Sequence, residues 1–172
     1  RYEIMGEISR GGMGVIYRAR HRRLDNEVAL KVILGGDASE EQLIRFEREA
    51  QTLAQLKHPN IVRVSDFGDE AGTPFFAMEL IPGRELKDHV DRQKKRKTLP
   101  PFEWTVKMLE PIAAALVACH EKGVVHRDLE PHNIMVEAKT RRPVLVDFGL
   151  ARPEAQRPAV SQSAGAAPSG NP

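Results

Sequence analysis

The sequence predicts an α+β fold built on five short strands with one helix inserted among them, followed by a mainly helical stretch. Three observations carry this. Alternating apolar runs separated by glycine and polar turns mark strands at residues 2–8, 14–21, 27–33, 61–67 and 74–80. Between the third and fourth, residues 39–56 change to a three- and four-residue period. After residue 80 helical patterns dominate.

Taken in order, residues 2–8 and 14–21 flank a glycine turn. In residues 27–33, Val28, Leu30 and Val32 alternate with Ala29, Lys31 and Ile33. In 39–56, Leu43, Phe46, Ala50 and Leu53 form one stripe, Ser39 and Gln42 have the spacing of a capping box, and His58-Pro59-Asn60 stops the helix. Residues 69–73 are the hairpin turn between the fourth and fifth strands. Residues 85–95 predict an exposed helix. Residues 102–122 predict a longer one, with Val106, Leu109, Ala113, Leu116 and His120 as its buried stripe and a kink at Pro111. Two apolar runs, Ile134-Met135-Val136 and Val144-Leu145-Val146, predict a small hairpin across the basic turn 139–143. No internal repeat is present. Residues 156–172 are dominated by proline, glycine, alanine and serine, a composition that predicts disorder.

The chain of 172 residues is long enough for a real core, and its 41% hydrophobic and 29% charged residues are ordinary for a globular protein. A net charge of +2 makes no case for nucleic acid. The basic run 92–97 reads as a solvated helix end, because no aromatic residues interleave with it. The single cysteine, Cys119, cannot form an internal disulfide, so a reducing cytoplasm is expected, with Cys119 a small core residue. No apolar run approaches the roughly 18 residues that span a bilayer.

The chemistry lies in four places. Closely spaced glycines in Ser9-Arg10-Gly11-Gly12-Met13-Gly14 allow backbone amides to approach phosphate oxygens, although an ordinary turn has the same composition. Lys31 lies in a strand, and the next helix carries Glu47 and Glu49; either a buried Lys–Glu pair or two surface charges fits the spacing. In Val125-His126-Arg127-Asp128-Leu129-Glu130-Pro131-His132-Asn133, an Asp and an Asn five residues apart can combine a base with a metal ligand. Asp147-Phe148-Gly149 then supplies a carboxylate at a strand end, suited to magnesium.

In this order and context, these segments and Val28-Ala29-Leu30-Lys31 resemble the protein kinases. Gly11 to Ala19 and His58-Pro59-Asn60-Ile61-Val62 look most like the bacterial serine/threonine kinases. The resemblance covers residues 2 to about 152. It implies a kinase small lobe over 1–81, the first part of the large lobe over 82–155, and a tail over 156–172. It further implies ATP and magnesium (or manganese) as cofactors and a protein as phosphate acceptor. Gly11 and Gly14 would match the second and third loop glycines, with Ile8 before them. Lys31, paired with Glu49, would hold the α- and β-phosphates. Met78 would be the gatekeeper, the backbone of Glu79 and Ile81 would bond adenine, and Ile16, Ala29 and Met135 would sandwich it. Asp128 would orient or deprotonate the acceptor hydroxyl, and Asn133 and Asp147 would hold the metal.

Three departures matter. Ser9 stands at the first loop glycine, a mild change. Glu130 stands where the family usually carries lysine, which predicts impaired phosphoryl transfer with nucleotide binding retained. After Arg152 no activation segment and no Ala-Pro-Glu is recognisable. The expectation is a truncated chain, prone to aggregate or dependent on a partner that covers the apolar face of residues 102–122. Competing readings are a non-catalytic, pseudokinase-like binding module and a small-molecule kinase; Arg127 and Phe148-Gly149 favour the protein-kinase branch over the second.

Overall fold

The computed structural model describes residues 1–11, 14–33 and 39–148, with the backbone of 152–153. The predicted tail, 156–172, lies outside the described residues. A five-stranded antiparallel sheet comprises β1 (Tyr2–Gly11), β2 (Gly14–His21), β3 (Glu27–Val32), β4 (Val64–Glu70) and β5 (Thr73–Glu79), in spatial order β1-β2-β3-β5-β4. Helix α1 (Glu40–Gln55) is inserted between β3 and β4. The capping box forms as its sequence requires: the Gln42 amide donates to the Ser39 hydroxyl, and the Ser39 amide donates to the Gln42 side chain at 2.9 Å.

Strand β3 is covered on both faces, and its alternation sorts side chains between two layers. Val28, Leu30 and Val32 join Ala19, Phe75 and Ala77 on the outer face. Ala29 and Ile33 point into the main core, which includes Phe46, Ala50 and Leu53 of α1. Phe46 is fully buried against Phe76 at 4.9 Å between ring centroids, so Phe46→Ala would cost about 3–5 kcal/mol. The turn of β4–β5 is tighter than expected: Ala71 and Gly72 both have positive φ, the requirement of a two-residue hairpin turn.

The rest of the chain comprises β6 (Gly83–Glu85), α2 (Leu86–Lys95), α3 (Phe102–Glu121), β7 (Val124–Val125), a 3₁₀ turn at Pro131–Asn133, β8 (Ile134–Glu137), β9 (Pro143–Leu145) and β10 (Arg152–Pro153). The predicted hairpin is β8–β9, and β6 extends it to a three-stranded sheet of order β6-β8-β9. β6 has no apolar residue to announce it. Residues 61–63 are not strand. Ile61 makes only an isolated parallel bridge to Leu145, because the chain here turns toward β9: Val62 donates to the Leu145 carbonyl and Leu145 to that of Asn60.

The buried stripe of α3 must be corrected. Met108, Ile112, Ala115 and Cys119 face the core, whereas Val106, Leu109, Ala113 and His120 are exposed and Leu116 is half-buried. The helix is apolar on two faces, so periodicity offers two stripes and only packing selects between them. α3 continues past Pro111 to Glu121, and Phe102, Val106, Leu109 and Val117 form an exposed apolar face. Among the described residues, no helix is long and apolar enough to cross a membrane.

Candidate active site

Lys31 projects from β3 onto the face of the sheet that meets α1. Its Nζ lies 2.6 Å from Oε1 and 2.7 Å from Oε2 of Glu49, and both residues are buried. Of the two glutamates on the helix, the structure brings Glu49, not Glu47, to the lysine. Burial pushes the Glu49 carboxyl above the usual carboxylate range; the Lys31 ammonium and a bond from the Phe148 backbone act against it, and the Asp147 charge adds to the rise. Asp147 Oδ1 lies 3.9 Å from the same ammonium, and its side chain is half exposed. Lys31 thus lies between the buried Glu49 carboxylate and the more exposed Asp147 carboxylate.

Asp128 and Asn133 are brought together by the 3₁₀ turn, whose Asn133 amide donates to the Glu130 carbonyl at 3.0 Å. Asn133 Nδ2 donates to the Asp128 carbonyl at 2.9 Å and to its carboxylate Oδ2 at 3.1 Å. That commits the amide nitrogen, and the amide oxygen is the atom left to face a cation. Val146 donates to the Asn133 carbonyl at 3.1 Å, which links this loop directly to the segment entering Asp147. Arg127 has a φ of 64°, a left-handed conformation rare for a non-glycine residue.

Ile16, Ala29, Lys31 and Met78 share one face of the sheet, since Ile16 is opposite Lys31 and Ala29 is opposite Met78 in the antiparallel register. Met78 and Ile81 are buried, Ile16 and Met135 are half-buried, and Ile8 and Gly11 are exposed. The Glu79 amide already donates to the Arg63 carbonyl at 2.9 Å, so a base could be bonded there only through the Glu79 carbonyl. Gly14 has a φ of +139°, and a Cβ on it would lie 2.2 Å from the Val32 carbonyl oxygen. Only glycine allows β2 to begin so close to β3. Gly12, Met13 and Gly149 lie outside the described residues.

The sequence reading assigned no role to three residues that brace this site. His126 is buried edge-on against Phe148, with ring centroids 4.6 Å apart, and burial holds its imidazole below the ordinary range. Asn60 is buried and donates to the Pro143 carbonyl at 2.7 Å, fixing β9. Arg142 bonds the Glu79 carboxylate at 2.8 Å and the Pro59 carbonyl at 2.6 Å. A buried asparagine and a histidine inside a catalytic-type motif were visible signals; the Arg142 contact, between residues 63 apart, was not.

A buried Lys–Glu pair thus lies beside one acidic residue, with an Asp–Asn pair in a neighbouring loop. The comparisons agree: a model of the protein kinase domain matches residues 2–167, and the chain belongs to that family. The serine/threonine-protein kinase pkn3 of Myxococcus xanthus is 39% identical over 163 residues, covering 88% of this chain and 28% of its own length. The serine/threonine-protein kinase PrkC of Bacillus subtilis is 38% identical over 152 residues, 88% of this chain and 23% of its own. For the serine/threonine-protein kinase PknL of Mycobacterium tuberculosis the figures are 39% over 153 residues, 88% and 37%. The chain therefore spans well under half the length of these relatives.

Proposed function

We propose that this chain binds magnesium-ATP between the sheet and the Asp128–Asn133 loop and transfers the γ-phosphoryl group to a serine or threonine hydroxyl of a protein. The observation that carries the reading is Lys31 held by Glu49 at 2.6 Å with Asp147 3.9 Å away. In this reading residues 1–81 are the small lobe and 82–155 the first part of the large lobe. Ile8, Ile16, Ala29 and Met135 enclose adenine, with Met78 at the back and the backbone of Glu79 and Ile81 along its edge. Gly11 and Gly14 let the β1–β2 turn close over the phosphates. Lys31 holds the α- and β-phosphates, positioned by Glu49. Magnesium (or manganese), held by the Asn133 amide oxygen and the Asp147 carboxylate, supplies charge neutralisation at the phosphates. Asp128 accepts the acceptor hydroxyl's proton as the new P–O bond forms and ADP departs.

Glu130 favours a second reading, a module that binds nucleotide without transferring phosphate. Its carboxylate stands where the family usually carries a lysine, and its neighbour is His132 Nδ1 at 3.3 Å. Binding of a fluorescent ATP analogue with magnesium, and transfer of labelled γ-phosphate to a general protein substrate, separate the two. Binding with transfer supports the kinase, and binding without transfer the module. Absence of magnesium-dependent binding removes both.

A further inference from the structure

The basic run at the end of α2 does not stand alone in three dimensions. His89, Arg92 and Arg96 of α2 and its C-terminal turn meet Trp104 of α3 and Arg141 of the β8–β9 turn around a cavity of about 330 Å³. A second cavity of about 180 Å³ shares His89, Arg92 and Arg141 and adds Arg84 from β6. Four arginines from three separate segments thus line these two adjoining cavities. The β8–β9 turn that carries Arg141 places it at a φ of 64°, a left-handed conformation uncommon for arginine.

Among the described residues, none of the four is ion-paired. Of the nearby acids, Asp91 is committed to Lys87 at 3.1 Å and to Lys94 at 4.0 Å, and Glu137 to Arg142 at 3.4 Å, while Asp88 lies close enough to act on His89 but forms no ion pair with any of the four arginines. The positive field is felt by His89, whose imidazole is held below its ordinary range first by burial and then by Arg141 and Arg84; Asp88 acts in the opposite sense. Like charges that outnumber their counter-charges destabilise a fold unless an anion completes them. The cavity is concave and side-chain sized, and Trp104, ring to ring with His89 at 6.1 Å, gives it one apolar wall.

We propose that this cavity docks a phosphorylated serine or threonine side chain of a partner polypeptide. A carboxylate satisfies one guanidinium fork, whereas a phosphate dianion offers three oxygens and suits several forks at once. A single aromatic is no stacking platform for a nucleic-acid strand. A concave opening is also a poor match to a flat anionic membrane. The inference does not depend on phosphoryl transfer by this chain, since it concerns a surface built from β6, α2, α3 and the β8–β9 turn.

Trp104 is the only tryptophan, so its fluorescence reports on the cavity directly. The full chain is titrated with an about ten-residue Ala/Gly peptide carrying one central phosphothreonine, with the same peptide unphosphorylated, and with inorganic phosphate. The expected result is a saturable change for the phosphopeptide, binding at least about ten-fold weaker without the phosphate, and an about ten-fold loss in Arg92→Ala/Arg141→Ala. Arg92→Lys, which keeps charge but loses the fork, should lose part of the affinity. Both arginines are exposed, so circular dichroism should be unchanged; if the double variant fails to fold, Arg92→Gln alone provides the comparison. Equal affinity for the two peptides, or for peptide and variant, overturns the proposal. So does inorganic phosphate binding as tightly as the phosphopeptide, which would mean an adventitious ion only, and so does tighter binding of an oligonucleotide or of anionic vesicles.

Discussion

Lys31 Nζ sits 2.6 Å and 2.7 Å from the two carboxylate oxygens of Glu49, and this contact ties β3 to α1 in the buried centre of the sheet–helix layer. Its consequence for stability differs from its consequence for chemistry, and the two can be measured apart.

Lys31→Met leaves the Glu49 carboxyl buried without its cation. Breaking a buried pair from one side costs about 3–5 kcal/mol, whereas replacing both partners with apolar groups is close to neutral. Lys31→Met should therefore unfold at markedly lower denaturant concentration, and Lys31→Met/Glu49→Leu should recover most of the loss. Glu49 is already shifted upward by burial, and without Lys31 it shifts further. The folded variant then keeps a proton that the unfolded chain releases above about pH 4.5, so its stability must fall as pH rises toward neutrality. Denaturant melts at pH 5 and pH 8 measure this; a single variant more stable at pH 8 than at pH 5 would contradict it. Neither variant should transfer phosphate.

The start of β2 makes a second test. Gly14→Ala would place a Cβ 2.2 Å from the Val32 carbonyl at a φ of +139°, so the hairpin must shift off β3. Gly11→Ala meets no heavy atom within 4 Å. Strain of this kind costs on the order of 1–3 kcal/mol, a fall of about 2–10 °C in Tm for a chain this size. Gly11→Ala should melt like the parent. Equal Tm values for the two variants would show that Gly14 is not held against β3.

Much of this was legible in the sequence, and the failures share a physical cause. Strands and helices with one apolar face announced themselves: α1 came with its cap, stripe and stop. The candidate site residues were proposed from motifs, because phosphate and magnesium chemistry constrains residue type and spacing together. What was missed depends on contacts between distant segments. β6 is strand only because β8 lies beside it, and Ile61 and Val62 turn toward β9 instead of pairing in the sheet. α3 offered two apolar stripes, and only the core could choose. The run 92–97 is a solvated helix end as expected, with Arg92, Lys94, Lys95, Arg96 and Lys97 exposed, but the nearness of Trp104 and Arg141 to it was not legible because both are remote in sequence.

Cys119 decides the α3 stripe experimentally. It lies on the face with Met108, Ile112 and Ala115, is fully buried, and burial pushes its thiol up to about 11. At pH 8 that leaves about one thiol in a thousand ionised, against roughly one in four or five for an ordinary cysteine, and removes steric access as well. Iodoacetamide should therefore label the denatured chain quickly and the folded chain at least about a hundred-fold more slowly. Fast labelling of the folded protein would put Cys119 outside and restore the stripe through Leu109 and Leu116.

If the proposed phosphoryl transfer is right, Glu130 is the residue expected to limit it. Its backbone closes the turn that presents Asn133, through the bond from the Asn133 amide at 3.0 Å, while its side chain is largely exposed beside His132. A substitution there can change charge without disturbing the turn. Two unit charges about 4 Å apart interact by about 4 kcal/mol at an effective dielectric near 20, and solvent around an exposed side chain reduces this to the order of 1 kcal/mol. That is about five-fold in rate. Glu130→Lys should accordingly raise kcat about five-fold or more, Glu130→Gln by less, and the KM for magnesium-ATP should change by no more than about two-fold because, on the proposed function, adenine and the α- and β-phosphates would be held elsewhere. The rise should shrink with added salt, as expected for an exposed charge. An unchanged kcat/KM in Glu130→Lys would mean that this carboxylate does not feel the transferred phosphate. If Glu130→Lys binds nucleotide like the parent and neither transfers phosphate, the block to transfer lies outside this residue and the nucleotide-binding reading gains.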